Sequence, residues 1–362
     1  MEKKVLRILS VSGSIMAFHV GSGFASGQEI LQFYTSYGPL GGLCVVITAL
    51  TMFILFSVIL LETGRLHTDE NPRALYQRLG GKTIGGFFYC ITPLIMILVL
   101  FVTVAGGGTT LHELFAIPPL FGRILTALPV LLTVLLGLQW ITAISGSIGP
   151  VIIVCALLLG CLGILRGRDT MLWSLLQHTS GHWFVSAVSY ACFGTITQIP
   201  FLLTIGTKLK SRREALLIAV LGNGGYMLTG LVLHMGLYRS LPLVLGEQLP
   251  SLCLAKMAGG FAGWFYGIIL LFSIFTTAVP LLWSVCRAIH TNERSIQYRC
   301  SAAAIGVLAA VGSQLPFDRL LGVLYPYIGY ISTVFFAVMS ARAFAGKICV
   351  SFRTGHSSSK AA

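Results

Sequence analysis

Two apolar stretches of the chain are interrupted by small and polar residues where a membrane helix would run unbroken. The residues at the interruptions are glycines, hydroxyl-bearing side chains and one amide: Gly21, Ser22, Gly23 and Ser26 in the first stretch, and Gly194, Thr195, Thr197 and Gln198 in the second. Glycine permits a helix to unwind, and the proline that follows at position 200 removes a backbone donor. Unpaired N–H and C=O groups cannot face lipid, so such breaks lie against protein or a wet cavity. We therefore interpret both as candidate binding segments for a polar ligand.

The two interruptions occupy equivalent places in the two halves of the chain, which is the pattern of a transport site. Each lies within the first helix of a five-helix half. Because five is odd, the second half must lie inverted relative to the first. The alternative is that the glycines are helix-packing contacts, but packing alone does not account for the hydroxyls and the amide beside them. The short helix fragments at a break present N–H groups and partial positive charge, which could hold a substrate carboxylate.

Two ionisable residues flank the first interruption. Glu29 follows it by six residues, and His19 precedes Gly21 by two. An ionisable residue inside a membrane span is a functional candidate, here for gating or proton coupling. The alternatives are a carboxylate that reaches the outer interface and a hydrogen-bonded core histidine.

The composition is that of a polytopic membrane protein. Hydrophobic residues make up 56% of the 362 and charged residues 10%, against roughly a quarter charged in soluble domains. Ten segments are long enough to be spans of about 20 residues: approximately 8–36, 39–63, 84–113, 117–138, 142–165, 182–207, 213–238, 257–289, 298–315 and 320–344. We predict a single transmembrane domain over 1–345, with halves at about 8–165 and 182–344, and a cytoplasmic tail at 346–362.

The basic residues predict the orientation. Of the 24 lysines and arginines, 18 fall on one side when loops are counted alternately, and the positive-inside rule makes that side cytoplasmic. Both termini are then predicted in the cytoplasm, with the protein in the plasma membrane. The net charge of +13 is thus explained by topology, and no nucleic-acid partner is predicted.

The segment GSGFASGQEI, which begins at Gly21, resembles the amino-acid permease family of YkvI-like membrane proteins. That family belongs to the amino acid–polyamine–organocation superfamily, whose members share the LeuT-type fold of five plus five inverted helices with broken helices one and six. The resemblance implies a secondary transporter with its substrate site between helices one, three, six and eight.

The same resemblance implies a Na⁺ site. Sodium-coupled LeuT-type transporters hold an ion between first-helix carbonyls and small or hydroxyl side chains of the eighth helix. In this chain the matching carbonyls and hydroxyls would be those of Ala17, Val20, Ser273, Thr276 and Thr277. Some proton-coupled relatives place a fifth-helix lysine at this position. The fifth segment here contains no lysine, which favours Na⁺.

The sequence thus favours a cation-coupled symporter for an amino acid or a related small carboxylate. A proton-coupled permease and a ligand sensor like the germinant-receptor subunits remain alternatives. No catalytic constellation or zinc-type cysteine pattern is present, so neither an enzyme nor a cofactor beyond the coupling ion is predicted. The expected partners are the small-molecule substrate and the lipid bilayer, with no obligate protein partner.

Overall fold

The computed structural model describes residues 2–136, 138–167, 182–290, 292–346 and 348, and within these ranges it contains helices and no strand. In chain order the helices are α1 (Glu2–His19), α2 (Ser22–Ser26), α3 (Gln28–Phe33), α4 (Gly38–Leu66), α5 (Pro72–Gly80), α6 (Lys82–Phe115), α7 (Pro119–Leu136), α8 (Leu138–Arg166), α9 (Trp183–Ile196), α10 (Ile199–Gly206), α11 (Arg212–Arg239), α12 (Leu241–Val244), α13 (Pro250–Lys256), α14 (Gly260–Ile289), α15 (Ile296–Gly312) and α16 (Phe317–Phe344). The predicted tail lies outside the described residues, apart from Gly346 and Ile348.

The helices confirm the predicted all-α membrane class. Seven stretches in the described ranges are long and apolar enough to cross a bilayer, and the bent pair α9–α10 makes an eighth. Two shorter apolar helices bring the number of apolar segments to ten: one is the part of α1 from Val5 to His19, and the other is α15. This number agrees with the sequence analysis, but the count of ten spans and the inverted relation of the halves stay predictions.

Helix α14 lies at the centre of the bundle and α7 at its edge. In the most apolar 18-residue stretch of α14, 78% of residues are buried, whereas in that of α7 only 17% are buried. Leu128 and Leu132 of α7 are instead more than half exposed, as expected of side chains that face lipid. Helix α14 packs against α1, α6 and α8, and this central position lets its hydroxyl side chains reach the broken first span.

Candidate substrate and ion site

The first span is broken after α1, and the carbonyl groups freed by the break face α14. Gly21 is extended (φ −87°, ψ −166°), and its N–H donates to the carbonyl of His19 instead of to that of Ala17. The carbonyls of Ala17 and Phe18 thereby lose the intrahelical partners that a continuous helix would supply. The hydroxyl of Thr277 lies 3.3 Å from the first of these oxygens and 3.2 Å from the second. A side chain of α14 thus provides a hydrogen-bond donor for the last carbonyl groups of α1.

Ser273 has the same role and lies one turn earlier in α14. Its hydroxyl donates to the carbonyl of Val20 and lies 3.4 Å from that of Gly21. The hydroxyl of Thr276 instead donates to the carbonyl of Ser273 in its own helix, at 3.0 Å. Four of the five residues predicted for Na⁺ therefore meet across the break, and the hydroxyl of Thr276 bonds within α14. An ion at this place stays a prediction.

A second break in the first span, at Gly27, was not predicted. Gly27 separates α2 from α3 with φ +84°, a left-handed conformation that favours glycine. A Cβ at this position would also lie 2.6 Å from the hydroxyl of Ser251. The kink lets α3 turn the side chain of Glu29 into the protein, where it is 4% exposed. The alternative of a carboxylate at the outer interface is therefore wrong.

Glu29 is held by two tyrosines from distant helices. Its Oε1 accepts hydrogen bonds from the hydroxyls of Tyr190 in α9, at 2.5 Å, and Tyr226 in α11, at 3.2 Å. The two hydroxyls also contact each other. A Cβ at Gly23 would lie 2.6 Å from Oε2 of Glu29, so the glycine is what allows the carboxylate to approach α2 so closely. The carboxylate is thereby fixed beside the first break.

The sixth span is broken at Thr197 and Gln198, between α9 and α10, and the axes of the two helices differ by 58°. Gly194, at which we predicted the unwinding to begin, lies within α9 instead. A Cβ there would lie 2.8 Å from the ring of Phe53, so the glycine allows that ring to approach closely. Pro200 occupies the first turn of α10, where its missing N–H costs little.

His19 and Gln198 join the two breaks. The amide Nε2 of Gln198 lies 2.7 Å from Nδ1 of His19, which is also 3.2 Å from the carbonyl of Ile15. Two polar atoms of this pair, Nε2 of His19 and Oε1 of Gln198, are buried without a hydrogen-bond partner among the residues that the structure describes. Buried polar atoms are normally paired, so both are candidates for contact with a bound molecule.

A small cavity lies between the two breaks, with a volume of about 30 Å³. Its wall includes polar and backbone groups of both broken spans, contributed by His19, Gly21, Glu29, Gly194, Thr197, Gln198 and Thr277. The rest of the described wall is apolar or aromatic: Phe18, Val99, Phe193, Tyr226, Leu281 and Tyr325. This volume is about that of one water molecule, so a larger ligand would need these side chains to move.

The chain is similar to two Bacillus subtilis (strain 168) proteins of uncharacterised function. It is 22% identical to the membrane protein YkvI over 323 residues, which cover 88% of this chain and 91% of YkvI. It is also 22% identical to the protein YyaD over 325 residues, 90% of this chain and 92% of YyaD. No protein-family model matches the chain. The predicted resemblance to YkvI-like membrane proteins is confirmed by this nearly full-length match.

Solved transporter structures share the backbone arrangement. MhsT, solved in complex with L-phenylalanine, superposes with a TM-score of 0.67 at 17% identity, over 92% of this chain and 88% of MhsT. Mhp1, a nucleobase-cation-symport-1 family transporter with bound bromovinylhydantoin, gives 0.64 at 12% identity, over 88% and 74%. The chain has the LeuT-type fold. A manganese transporter of Eremococcus coleocola also superposes, with a TM-score of 0.62 at 16% identity, over 96% of this chain and 82% of that one.

Within this LeuT-type fold, three of the residues predicted to bind substrate make other contacts. Ser26 donates to the carbonyl of Gly23, at 3.0 Å, and Thr195 donates to that of Ala191, at 2.8 Å. Ser22 is buried and packs against Gly106 of α6, and its hydroxyl has no hydrogen-bond partner among the described residues. The hydroxyls of Ser26 and Thr195 bond within the broken helices, and none of the three residues lines the cavity.

The sequence analysis missed the tyrosines around the cavity. Tyr190 and Tyr226 hold Glu29, and Tyr325 of α16 stacks on Phe193 with ring centroids 4.0 Å apart. One signal was available: a tyrosine in the middle of an apolar helix needs a partner for its hydroxyl. That signal does not identify the partner, which lies on another helix.

Proposed function

We propose that the protein is a secondary active transporter that couples Na⁺ to the movement of an amino acid or a related small carboxylate by alternating access. Its LeuT-type fold, its two broken spans and the small cavity between them support this proposal. Discontinuous helices at mid-membrane are where such transporters bind substrate and coupling ion.

The observation that carries the proposal is the set of oxygen atoms around the first break. The hydroxyls of Ser273 and Thr277 meet the carbonyls of Ala17, Phe18 and Val20. A hydroxyl that donates its proton keeps lone pairs with which it can also coordinate a cation. Hydroxyl and carbonyl oxygens are ligands that suit a hard cation such as Na⁺. Binding there would tie α1 and α2 to α14 and so favour one conformation of the broken span.

An amino acid is supported as substrate by the polar side chains and backbone groups of both breaks in the cavity wall, and by MhsT, whose structure contains L-phenylalanine. The cavity of about 30 Å³ is smaller than an amino acid, so binding would require the site to widen. Substrate entry would require the stacked pair Phe193 and Tyr325 to separate.

The test is uptake of radiolabelled amino acids, each of the twenty in turn, into proteoliposomes that contain the purified full-length chain. An inward Na⁺ gradient should stimulate uptake of at least one amino acid relative to an inward K⁺ gradient. Equal uptake in the two gradients would rule out sodium coupling. Binding of an amino acid without flux in any gradient would favour a ligand sensor instead.

Proton coupling is the second candidate, and Glu29 is the observation that favours it. The carboxyl group is buried beside the cavity, and the described wall contains no lysine or arginine. Such a group could take up and release a proton during transport. In that case uptake in sodium-free medium should follow an imposed pH gradient and stop in the Glu29→Gln variant.

A further inference from the structure

The central cavity combines one carboxylate with a set of aromatic rings. Glu29 is the acidic residue of the described wall, which holds no lysine or arginine. The rings of Phe18, Phe193, Tyr226 and Tyr325 belong to the same wall. Aromatic faces carry negative electrostatic potential and attract cations, which is how ammonium groups are bound in aromatic cages. Carboxylate and rings therefore point to the same kind of ligand.

A buried carboxylate needs a counter-charge or a proton. Leaving it ionised and unpaired in a low-dielectric interior costs several kcal/mol. The hydroxyls of Tyr190 and Tyr226 donate to Oε1, but these groups are neutral and do not cancel the charge. His19 makes no ion pair with Glu29 among the described residues; its Nδ1 lies instead between the amide of Gln198 and the carbonyl of Ile15.

We propose that the cavity recognises the ammonium group of the substrate, with Glu29 as its counter-ion and the surrounding rings as cation–π partners. This inference rests on the proposed function and specifies which chemical group of the substrate the site recognises. It also gives the hydroxyls of Tyr190 and Tyr226 a role, since they hold Oε1 in place and leave the carboxylate oriented toward the ligand.

The remaining polar atoms of the cavity agree with an ammonium ligand. Oε1 of Gln198 is buried and unpaired within the described ranges, and it can accept one of the three N–H donors of an amine. The volume of about 30 Å³ is close to the size of an ammonium head group. The Na⁺ ligands proposed above are other atoms, the hydroxyls of α14 and the carbonyls of α1.

The cavity offers a carboxylate group fewer favourable contacts than it offers an amine. The described wall supplies no cationic side chain, and the negative charge of Glu29 repels an anion. A substrate with both groups would have to place its carboxylate away from Glu29, nearer the backbone of the breaks. The amine is thus the group whose removal should cost the most binding.

The first experiment compares ligands on the unaltered protein. Thermal stabilisation of the purified full-length chain is measured with L-phenylalanine, L-leucine and L-alanine. It is then measured with the matched amines that lack the carboxylate (phenethylamine, isoamylamine and ethylamine), and with the matched acids that lack the amine (3-phenylpropionate, 4-methylpentanoate and propionate). We expect stabilisation by amino acids or amines and none by the acids. Stabilisation by an acid equal to that of its amino acid would overturn the proposal.

The second experiment alters the counter-ion. Glu29→Gln keeps the shape of the side chain and removes its charge, so Kd for the stabilising amines should rise about tenfold or more. Glu29→Asp keeps the charge and should retain some of the affinity. Glu113→Gln, at a carboxylate that pairs with Lys256 outside the cavity, is the matched control and should bind as the wild type does. Unchanged amine affinity in a folded Glu29→Gln protein would contradict the proposal.

The outcomes separate this inference from the proposed function. Amino-acid uptake that persists with unchanged affinity in Glu29→Gln refutes the ammonium site and leaves transport standing. Glu29-dependent binding of amines without transport of any amino acid supports the site and refutes the function. Stabilisation by none of the nine compounds, together with no uptake, contradicts both. If Glu29→Gln fails to fold, the comparison of ligands on the wild-type protein decides alone.

Discussion

At the scale of single residues, two hydroxyl groups replace the backbone donors that the broken first span lacks. Thr277 reaches the carbonyls of Ala17 and Phe18, and Ser273 reaches that of Val20. Without them these buried oxygens would be left without a donor, at a cost of about 1–3 kcal/mol each. The same hydroxyls are the proposed ion ligands, so structural and functional roles coincide here.

Thr277 provides the residue-scale prediction. Thr277→Ala removes a hydroxyl and should raise the Na⁺ concentration for half-maximal uptake by about tenfold, the equivalent of losing one ligand worth roughly 1.4 kcal/mol. Thr277→Ser keeps the hydroxyl and should stay near wild type. Thr276→Ala is the matched control, because that hydroxyl bonds within its own helix. Sodium dependence that is the same in Thr277→Ala and Thr276→Ala would contradict the assignment.

At the scale of elements, Gly27 determines the direction of α3 and with it the position of Glu29. The residue adopts φ +84°, and the adjoining helices are only five and six residues long. Such short helices are not stable alone, so their packing against the bundle must hold them. Gly27 therefore permits the kink, and packing against the bundle stabilises it.

Gly27→Ala tests this kink. The substitution forces a side chain into a left-handed conformation, at a cost of about 1–2 kcal/mol, and brings its Cβ against the hydroxyl of Ser251. The melting temperature of the purified protein should fall. Gly224→Ala in α11 is the control, because among the described residues the added Cβ has no atom outside its own helix within 4 Å, and alanine is favoured over glycine in a helix by about 1 kcal/mol. A fall of equal size in both variants would show that the kink is not responsible.

The short α5 allows a prediction about pH. Hydrogen bonding to the guanidinium of Arg78 lowers the pKa of Glu70, in the loop before α5, from its ordinary value of 4.5. A lowered carboxyl pKa contributes stability above the ordinary value and loses it as pH falls through the folded-state pKa. Arg78→Gln should therefore reduce the free energy of unfolding near pH 7 by less than about 1 kcal/mol, as expected for a partly exposed pair, and lower the melting temperature accordingly. The difference from wild type should vanish well below pH 4.5.

Glu70→Gln is the companion variant for this pair. It should also lose stability near pH 7, since it removes the charge of the carboxylate that Arg78 and His67 contact. A destabilisation by Arg78→Gln that persists unchanged at low pH would assign the effect to packing of the arginine and not to its charge.

At the scale of the whole molecule, the distribution of charge predicts the orientation in the membrane. The loop near Glu247 follows α12 on the side with few basic residues, and the loop near Asn292 follows α14 on the basic side. Both residues are exposed in the structure. The positive-inside rule places the first loop outside the cell and the second in the cytoplasm.

Epitope insertion tests this orientation. A short peptide epitope placed after Glu247 should bind antibody in intact spheroplasts, and one placed after Asn292 should bind only after permeabilisation. Proteins that retain uptake activity are scored, so that misfolded insertions are excluded. Antibody binding to the second epitope in intact spheroplasts would reverse the predicted topology.

Much of the site was predictable because the signals are local. Hydropathy identified the membrane class, glycines marked the broken first span, and glycine with proline marked the broken sixth span within a few residues of its position. The spacing of Ser273, Thr276 and Thr277 predicted three hydroxyls on one face of α14, and those of Ser273 and Thr277 contact the first break. Each of these properties depends on neighbours within about one or two helical turns, which is information that the sequence contains directly.

The composition of the cavity was decided by tertiary structure. Glu29 meets Tyr190 and Tyr226 across three helices, and Gly194 serves to admit Phe53 while the break itself lies at Thr197 and Gln198. These contacts depend on how each helix is rotated and where it crosses its neighbours. Rotation and crossing are set by the packing of all side chains at once, and no local pattern specifies them. The sequence by itself thus determined that the first and sixth spans are broken, and the packed bundle decided the second break at Gly27 and which side chains meet at the breaks.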